Sequence, residues 1–408
     1  MRFSGCLVGC VAPPRTRFPK YKGSLKHKRL PEKAKGRLKS KKRRLKTPKK
    51  QPENPKPMTP KTLFKTLKKP LQKLRIRLGK ALFDRPPRPS ETPLAPEHIR
   101  AILFLRQDGK IGDYIVSSFV FREIKKAAPH IRIGVICTQA NRSLFDQNPH
   151  IDTVHIVRAK STRSYCAVGR SIAGQYDAVI DPTAFLRTRD LRLIRSIAAP
   201  YNIGFAKEHY RIFNRNIPDT NQHFSEIYRQ ALEICGFENI DTAYDLPEHP
   251  PTAAAVATFL QERGIARYTA VNFFGAANAR RFTPENIAVW LQHFAQKHPA
   301  QQFVLLSYPA ATPLLQQLAQ AAPNCHVYPK TQTIQDNIEL IRQAERVISP
   351  DTATIHIAAG LGKPLIGLYR NEGLNYWLPY TKTPAAILYY RDNINELTPQ
   401  HLPPDWPA

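Results

Sequence analysis

The stretch Arg106-Gln107-Asp108-Gly109-Lys110-Ile111-Gly112-Asp113 follows a short apolar run and precedes a helical one. Gly109 and Gly112 allow a tight turn and close approach of the backbone to a ligand. A carboxylate at such a helix start, here Asp113, can accept the proton of an attacking hydroxyl, an effect of roughly 10²–10⁴-fold on rate. It can equally serve as a plain helix cap, a position aspartate favours, and spacing leaves both roles open. The third glycine of a dinucleotide fingerprint is missing, which gives a nicotinamide site little support.

Two further stretches carry groups suited to a phosphorylated ligand. Val347–Pro364, VISPDTATIHIAAGLGKP, reads as a strand end followed by a helix that starts at Asp351 and Thr352 and closes at Gly360–Gly362. The free amides of a helix start favour a diphosphate. Asp351 beside them can hold sugar hydroxyls, or simply cap the helix. His356 lies five residues in, where a lone histidine is more often packed than catalytic. Gly275–Glu285, GAANARRFTPE, places Arg280 and Arg281 in a Gly/Ala-rich loop ahead of a helix opened by Pro284 and Glu285. Paired arginines there suit phosphate, and they are also ordinary surface charge. Neither half contains an Asp-x-Asp metal motif, consistent with a site that uses no metal or cofactor and stabilises charge with protein groups.

These loops need a scaffold that brings strand ends together. From residue 100 short β-branched runs alternate with helical segments. The pattern predicts strands at Ala101–Arg106, Arg132–Cys137, Thr153–Val157 and Tyr176–Asp181, a helix reaching about Ala127 and another at Leu191–Ala199. The rhythm restarts with predicted strands at Thr269–Phe274, Phe303–Ser307, His326–Tyr328, Arg346–Ser349 and Leu365–Tyr369. Helices are predicted between them at Pro284–Lys297, Thr312–Ala321 and Ile334–Ala344. This is the signature of parallel, doubly wound α/β sheets. Two Rossmann-like halves, 97–250 and 251–408, joined near 250–268, would face a cleft beyond the carboxyl ends of their strands.

The net charge of +31 belongs to a tail. Residues 1–90 hold 30 of the 62 Lys and Arg but only three acids, Glu32, Glu53 and Asp84; the remaining 318 residues are nearly balanced at +4. Residues 1–60, rich in Lys, Arg and Pro, are expected to be disordered. In 61–83 the leucines 63, 67, 71, 74, 78 and 82 form a helical stripe among basic residues. Such a helix lies on an anionic membrane surface or packs on its own domain; a Pro-rich linker follows to residue 96. No apolar run approaches the ~18 residues of a membrane span. The six cysteines include no Cys-x-x-Cys pair, which excludes zinc spacing and indicates a reducing compartment.

Taken together, the three motifs resemble the heptosyltransferases, glycosyltransferase family 9, over roughly residues 100–370. The segments NPHIDTVHIV and YNIGFA are similar to family segments as well. The resemblance implies a GT-B fold of two Rossmann-like domains and an inverting, metal-independent transfer of heptose from ADP-heptose to the lipopolysaccharide or lipooligosaccharide inner core. It implies Asp113 as general base, Asp351 on the donor sugar, and Thr352 with neighbouring amides, at Ala353, on the diphosphate. His356 corresponds to the histidine of that motif. Arg280, with Arg281 beside it, stands at the place of a phosphate-binding lysine. The partners implied are a nucleotide sugar and a lipid-linked anionic glycan, with Arg187, Arg189, Arg192, Lys207 and Arg211 as candidate acceptor contacts. A peripheral cytoplasmic enzyme on the inner membrane face follows, with no specific nucleic acid. The sequence departs from the family at Ala353 and Thr354, at Arg280, and at Tyr369-Arg370-Asn371, all close to the donor. The competing readings are a related transferase with another nucleotide sugar and a nucleic-acid-binding protein built on the tail.

Overall fold

The computed structural model describes residues 76–146, 148–370 and 376–404; the tail of residues 1–60 and the stripe from Leu63 to Leu74 lie outside these. A helix at residues 76–83, α1, comes first. The N-terminal domain comprises β1 (Ala101–Arg106), α2 (Ile111–Ser117), α3 (Phe119–Ala127), β2 (Arg132–Cys137), α4 (Arg142–Asp146), β3 (Thr153–Ile156), α5 (Thr162–Ser171), β4 (Ala178–Asp181), α6 (Thr188–Ile197), β5 (Tyr201–Phe205), β6 (Arg215–Ile217) and α7 (Phe224–Ile234). The C-terminal domain comprises α8 (Pro250–Glu262), β7 (Thr269–Asn272), α9 (Pro284–Lys297), β8 (Phe303–Leu306), α10 (Thr312–Ala319), β9 (Cys325–Val327), α11 (Ile334–Gln343), β10 (Arg346–Pro350), α12 (Ala353–Gly360), β11 (Leu365–Arg370) and β12 (Ala385–Tyr390).

Each domain is built on a six-stranded sheet, β3-β2-β1-β4-β5-β6 and β12-β11-β10-β7-β8-β9, with all pairings parallel. Counted from its own first strand, the second sheet repeats the order of the first, as two Rossmann-like halves require. Helices cover both faces of such sheets, so the central strands are buried and mostly apolar: AILFLR in β1, apolar up to Arg106 at its end, and FVLL in β8 are buried at every position. The order reverses between β1 and β4 and between β10 and β7. Loops leaving β1, β7 and β10 therefore open at the two crevices where such folds bind ligands.

Three strands escape the alternation rule. In β5, Asn202 and Gly204 interrupt the apolar pattern: Asn202 Nδ2 donates to the Ile212 carbonyl (3.0 Å), and Lys207 and Phe213 occupy the space a side chain at Gly204 would need. The three residues of β6, Arg-Asn-Ile, carry no pattern, and β12 is a half-exposed edge. The helix predicted through Ala127 is divided at Ser118. Its hydroxyl donates to the Ile115 carbonyl (2.7 Å) and accepts from the Asp245 amide (2.8 Å), a side-chain competitor to the helical ladder.

The domains meet where α2 faces α12. A side-chain carbon at Gly112 would lie 3.4 Å from His356 Cδ2 and 3.7 Å from Ala353 Cα. After β11 the chain crosses back to the first domain: the Trp377 ring stacks on Phe224 (4.2 Å between centroids), and the Tyr380 hydroxyl donates to Glu226 (2.8 Å).

The amphipathic helix turns a different face to its own domain from the one the leucines occupy. Gly79 lies tight against Thr188, Lys80 stands over the Tyr210 ring at 4.5 Å, and Phe83 sits under Arg192 at 4.4 Å. Asp84 accepts from the Ile212 amide (2.9 Å). Leu78 and Leu82, the last members of the stripe, remain 55% and 60% exposed.

Candidate active site

Loops from both domains enclose a cavity of about 600 Å³, a size typical of small-molecule sites. Lys110, Gly112 and Asp113 line it from the first domain. Arg280, Asp351, Thr352, Ala353 and His356 line it from the second, with Tyr369, Trp377 and Tyr389 as an aromatic wall.

Asp113 occupies the third position of α2, behind Lys110 at the N-cap, and that cap has no side-chain bond. The plain capping role is therefore not the one Asp113 fills. Its carboxylate lies 3.4 Å from Lys110 Nζ, which also lies 3.9 Å from Asp108. Burial pushes Asp113 up to about 7; Arg106 and Lys110 pull the other way, and the hydrogen bond and charge of Asp108 add to the rise. The result is a carboxyl group whose proton affinity is matched to neutral pH, as a general base requires.

On the opposite wall Asn272, at the end of β7, ties the strand-end loops together. Its Nδ2 donates to Ser349 Oγ (3.1 Å), Thr352 Oγ1 (3.2 Å) and Thr354 Oγ1 (3.1 Å). Thr352 caps α12 by accepting from the Thr354 amide (3.4 Å). Arg280 Nη1 donates to both the carbonyl and the carboxylate of Asp351, each at 2.8 Å. A β-carbon at Gly275 would come within 2.6 Å of Arg280, so the loop can seat this arginine only with glycine there. A cation, a carboxylate and a helix start thus converge on one corner, suited to a diphosphate and a sugar.

The fold and these loops agree with one profile: residues 165–401 match glycosyltransferase family 9, the heptosyltransferases. The chain belongs to this family. The lipopolysaccharide core heptosyltransferase OpsX of Haemophilus influenzae is 21% identical over 312 residues, 74% of this chain and 88% of that protein. A relative in Escherichia coli K12 that also carries a lipopolysaccharide heptosyltransferase name is 23% identical over 286 residues, 68% of this chain and 76% of that protein. Among solved structures, the family 9 glycosyltransferase of Veillonella parvula superposes with a TM-score of 0.61 at 19% identity, covering 73% of this chain and 93% of that one. ADP-heptose lps heptosyltransferase II of E. coli does so with a TM-score of 0.58 at 16% identity, covering 74% and 95%. The structural likenesses establish the GT-B fold, and membership of family 9 makes the protein a glycosyltransferase.

The remaining family positions are placed as follows. His356 is fully buried and reaches the cavity, its ring 5.7 Å from Trp377 and 6.4 Å from His223. Burial, reinforced by His223, pushes it down to about 3, and burial takes His223 to about 4. Burial thus holds both rings in the neutral form at physiological pH. Arg281 is exposed and does not line the cavity; its Nη2 donates to the Gly275 carbonyl at 3.4 Å. None of the five candidate acceptor residues lines this cavity. Arg187 and Arg211 are exposed, while Arg189 and Arg192 lie over the rings of Tyr165 and Phe83.

Lys207 does not fit a surface contact with an anionic glycan. It is buried, and its ammonium donates to the carbonyls of Thr183 and Phe205. Two residues with evident parts in the site were not singled out from sequence. Lys110 sits inside the first motif, beside Asp113. Asn272 had a readable signal, a lone polar residue at the end of an apolar strand.

Proposed function

We propose that this enzyme transfers a heptose, with inversion and without a metal ion, from ADP-heptose to the inner core of a lipid-linked lipopolysaccharide or lipooligosaccharide. The observation that carries the reading is the opposition across one cavity of Asp113 and the Arg280–Asp351–Thr352 corner. The names of its relatives supply the heptose and the lipopolysaccharide. Asp113 takes the proton of an acceptor hydroxyl as its oxygen attacks the anomeric carbon. The bond from that carbon to the diphosphate breaks, and Arg280 with the start of α12 receives the charge. Screening nucleotide sugars for nucleoside-diphosphate release tests the donor. ADP-heptose should give the fastest release, and a faster uridine or guanosine donor would replace it. That second reading draws on Ala353, Thr354, Tyr369 and Arg370, where the chain departs from the family beside the donor corner. Chelators should leave the rate unchanged; loss of activity in EDTA, restored by a divalent ion, would overturn the metal-free step.

Among the described residues no helix is long and apolar enough to cross a membrane. A lipid-linked acceptor nevertheless brings the enzyme to a bilayer, and we place it peripherally on the cytoplasmic face of the inner membrane. Residues 61–83 are the proposed contact. Support comes from Leu78 and Leu82, which stand in solvent while the other face of α1 holds the domain. Apolar side chains that dip into the interface, with cations at about 1 kcal/mol each near anionic headgroups, give reversible binding that salt weakens. Leu78→Ser with Leu82→Ser should reduce co-sedimentation with anionic vesicles, most visibly at raised salt, and spare turnover of a short soluble acceptor. Undiminished vesicle binding by the pair would place the contact elsewhere.

A further inference from the structure

Asp108 has no part in the transfer as described, yet it is built into the site. It stands on the turn between β1 and α2. Gly109 after it adopts φ +73°, the left-handed region that favours glycine. The turn gathers the carboxyl groups of Asp108 and Asp113 around one ammonium, and each acts on the proton affinity of the other. Two carboxyl groups at such a turn can share a hydrogen bond only when one of them carries a proton. A single ammonium bridges the pair: Lys110 Nζ lies 3.9 Å from Asp108 Oδ2 and 3.4 Å from Asp113 Oδ2. Beneath them Arg106 is buried, bonded to the Tyr228 hydroxyl, with Nε and Nη2 unpartnered among the described residues.

The charged and titratable groups around the pair come from several elements. Arg106 approaches from β1, Lys110 from the turn and Tyr228 from α7; Asp181, at the end of β4, faces Arg106. The neutral His356 of α12 lies beyond Gly112, and Arg280 and Asp351 face the same cavity from the far wall. Two nearby cations thus meet two carboxylates that can share a proton.

We propose that Asp108 is a positioning residue for the transfer: it shares one proton with Asp113, aims that carboxyl into the cleft and sets its strength as a base. The inference rests on the reading of Asp113 as the base. With both groups ionised, Arg106 and Lys110 hold the two negative charges. When the acceptor O–H bond breaks, the proton passes to Asp113, and the hydrogen bond to Asp108 retains it until it leaves to water at the cavity mouth. The unequal proton affinities of the pair agree with this. Burial opposes ionisation of Asp108, but Arg106, the hydrogen bond from Asp113 and Lys110 hold it below the ordinary carboxylate range, while Asp113 rises. Two carboxyl groups that share a site separate in this way.

The test is the pH profile of kcat/KM for Asp108→Asn and Lys110→Met. The wild-type acid limb should fall near pH 7, the value to which Asp113 is raised. Asp108→Asn removes the neighbouring anion, and its amide can donate to Asp113. The limb should therefore move to lower pH by about 1 unit or more, with a lower plateau because the base is weaker. Lys110→Met removes a cation, so the limb should move to higher pH. A structural lesion does not produce shifts of opposite sign, and Asp108→Glu should return the limb toward its wild-type place. A limb that stays at the wild-type position in Asp108→Asn would overturn the proposal, whatever happens to the plateau or to the Lys110→Met limb. If Asp108→Asn does not fold, Asp108→Ser takes its place: a limb moved to lower pH sustains the role of Asp108 and an unmoved limb removes it. Asp113→Asn separates the two ideas. Near wild-type turnover there would refute the base itself, whereas an inactive Asp113→Asn with unmoved limbs elsewhere would refute only the role of Asp108.

Discussion

Asp113→Asn should lower turnover by about 100-fold or more and leave donor affinity close to that of the wild type. Asparagine keeps the shape of the side chain and its contact with Lys110 but cannot accept a proton, and general base catalysis contributes roughly 10²–10⁴-fold. The donor corner lies on the other domain, so a binding defect is not expected; kcat and kcat/KM should fall together. Single-turnover rates with saturating donor would measure the chemical step, and a rate within a few-fold of wild type would reduce Asp113 to a structural residue. A thermodynamic signature should accompany the loss. The folded pKa of Asp113 is raised to about 7 from 3.8, so its contribution is present below the unfolded value and is lost as pH rises through 7. At pH 8 the wild type holds a buried charge that the amide lacks. The variant should therefore melt higher at pH 8, by about 2–4 °C for each kcal/mol of relief, and the difference should close at pH 4. A dead enzyme that is also more stable is the expected mark of a strained functional carboxylate.

What could be read in the sequence divides along the range of the forces involved. Asp113, Asp351, Thr352 and Arg280 sit within a few residues of a strand end, where the loop, the helix start and the ligand group are specified by one short segment. Spacing marks them as candidates and the family resemblance gives them roles, and the structure brings all four to one cavity. Lys207 and Arg281 illustrate what spacing misses. Each is a cation in a loop, and only the tertiary fold decides that Lys207 turns inward to two carbonyls and Arg281 outward. Asp113 itself is a mixed case: its position was legible, but its proton affinity depends on Arg106, Asp108 and burial, which only the folded chain assembles. The same division holds for the scaffold. Central strands such as β1 run apolar up to their last residue because helices cover both faces, whereas β5, β6 and β12 lie toward sheet edges where polar residues break the pattern.

Arg280→Ala should weaken both the nucleotide sugar and the free nucleoside diphosphate, whereas Asp351→Ala should weaken the nucleotide sugar alone. A charge-assisted hydrogen bond to phosphate is worth about 1.5–3 kcal/mol, or roughly ten- to hundredfold in Kd, and that is the loss expected for Arg280→Ala on either ligand. Asp351 is assigned to the sugar, which the free diphosphate lacks. The pair is also joined directly: Arg280 Nη1 stands 2.8 Å from the Asp351 carboxylate. At its exposure this ion pair adds little to stability, so its removal should leave the fold intact. Removing the carboxylate frees the guanidinium from a competing anion. Free diphosphate should then bind Asp351→Ala at least as tightly as it binds the wild type. Because the two side chains touch, their effects on donor affinity should not add, and a double-mutant cycle should return a coupling of about 0.5–3 kcal/mol. Titration calorimetry of the four proteins with both ligands measures every corner of that cycle. Equal losses of free diphosphate affinity in the two single variants would overturn the division of roles, because a residue that holds only the transferred sugar cannot weaken a ligand that lacks it.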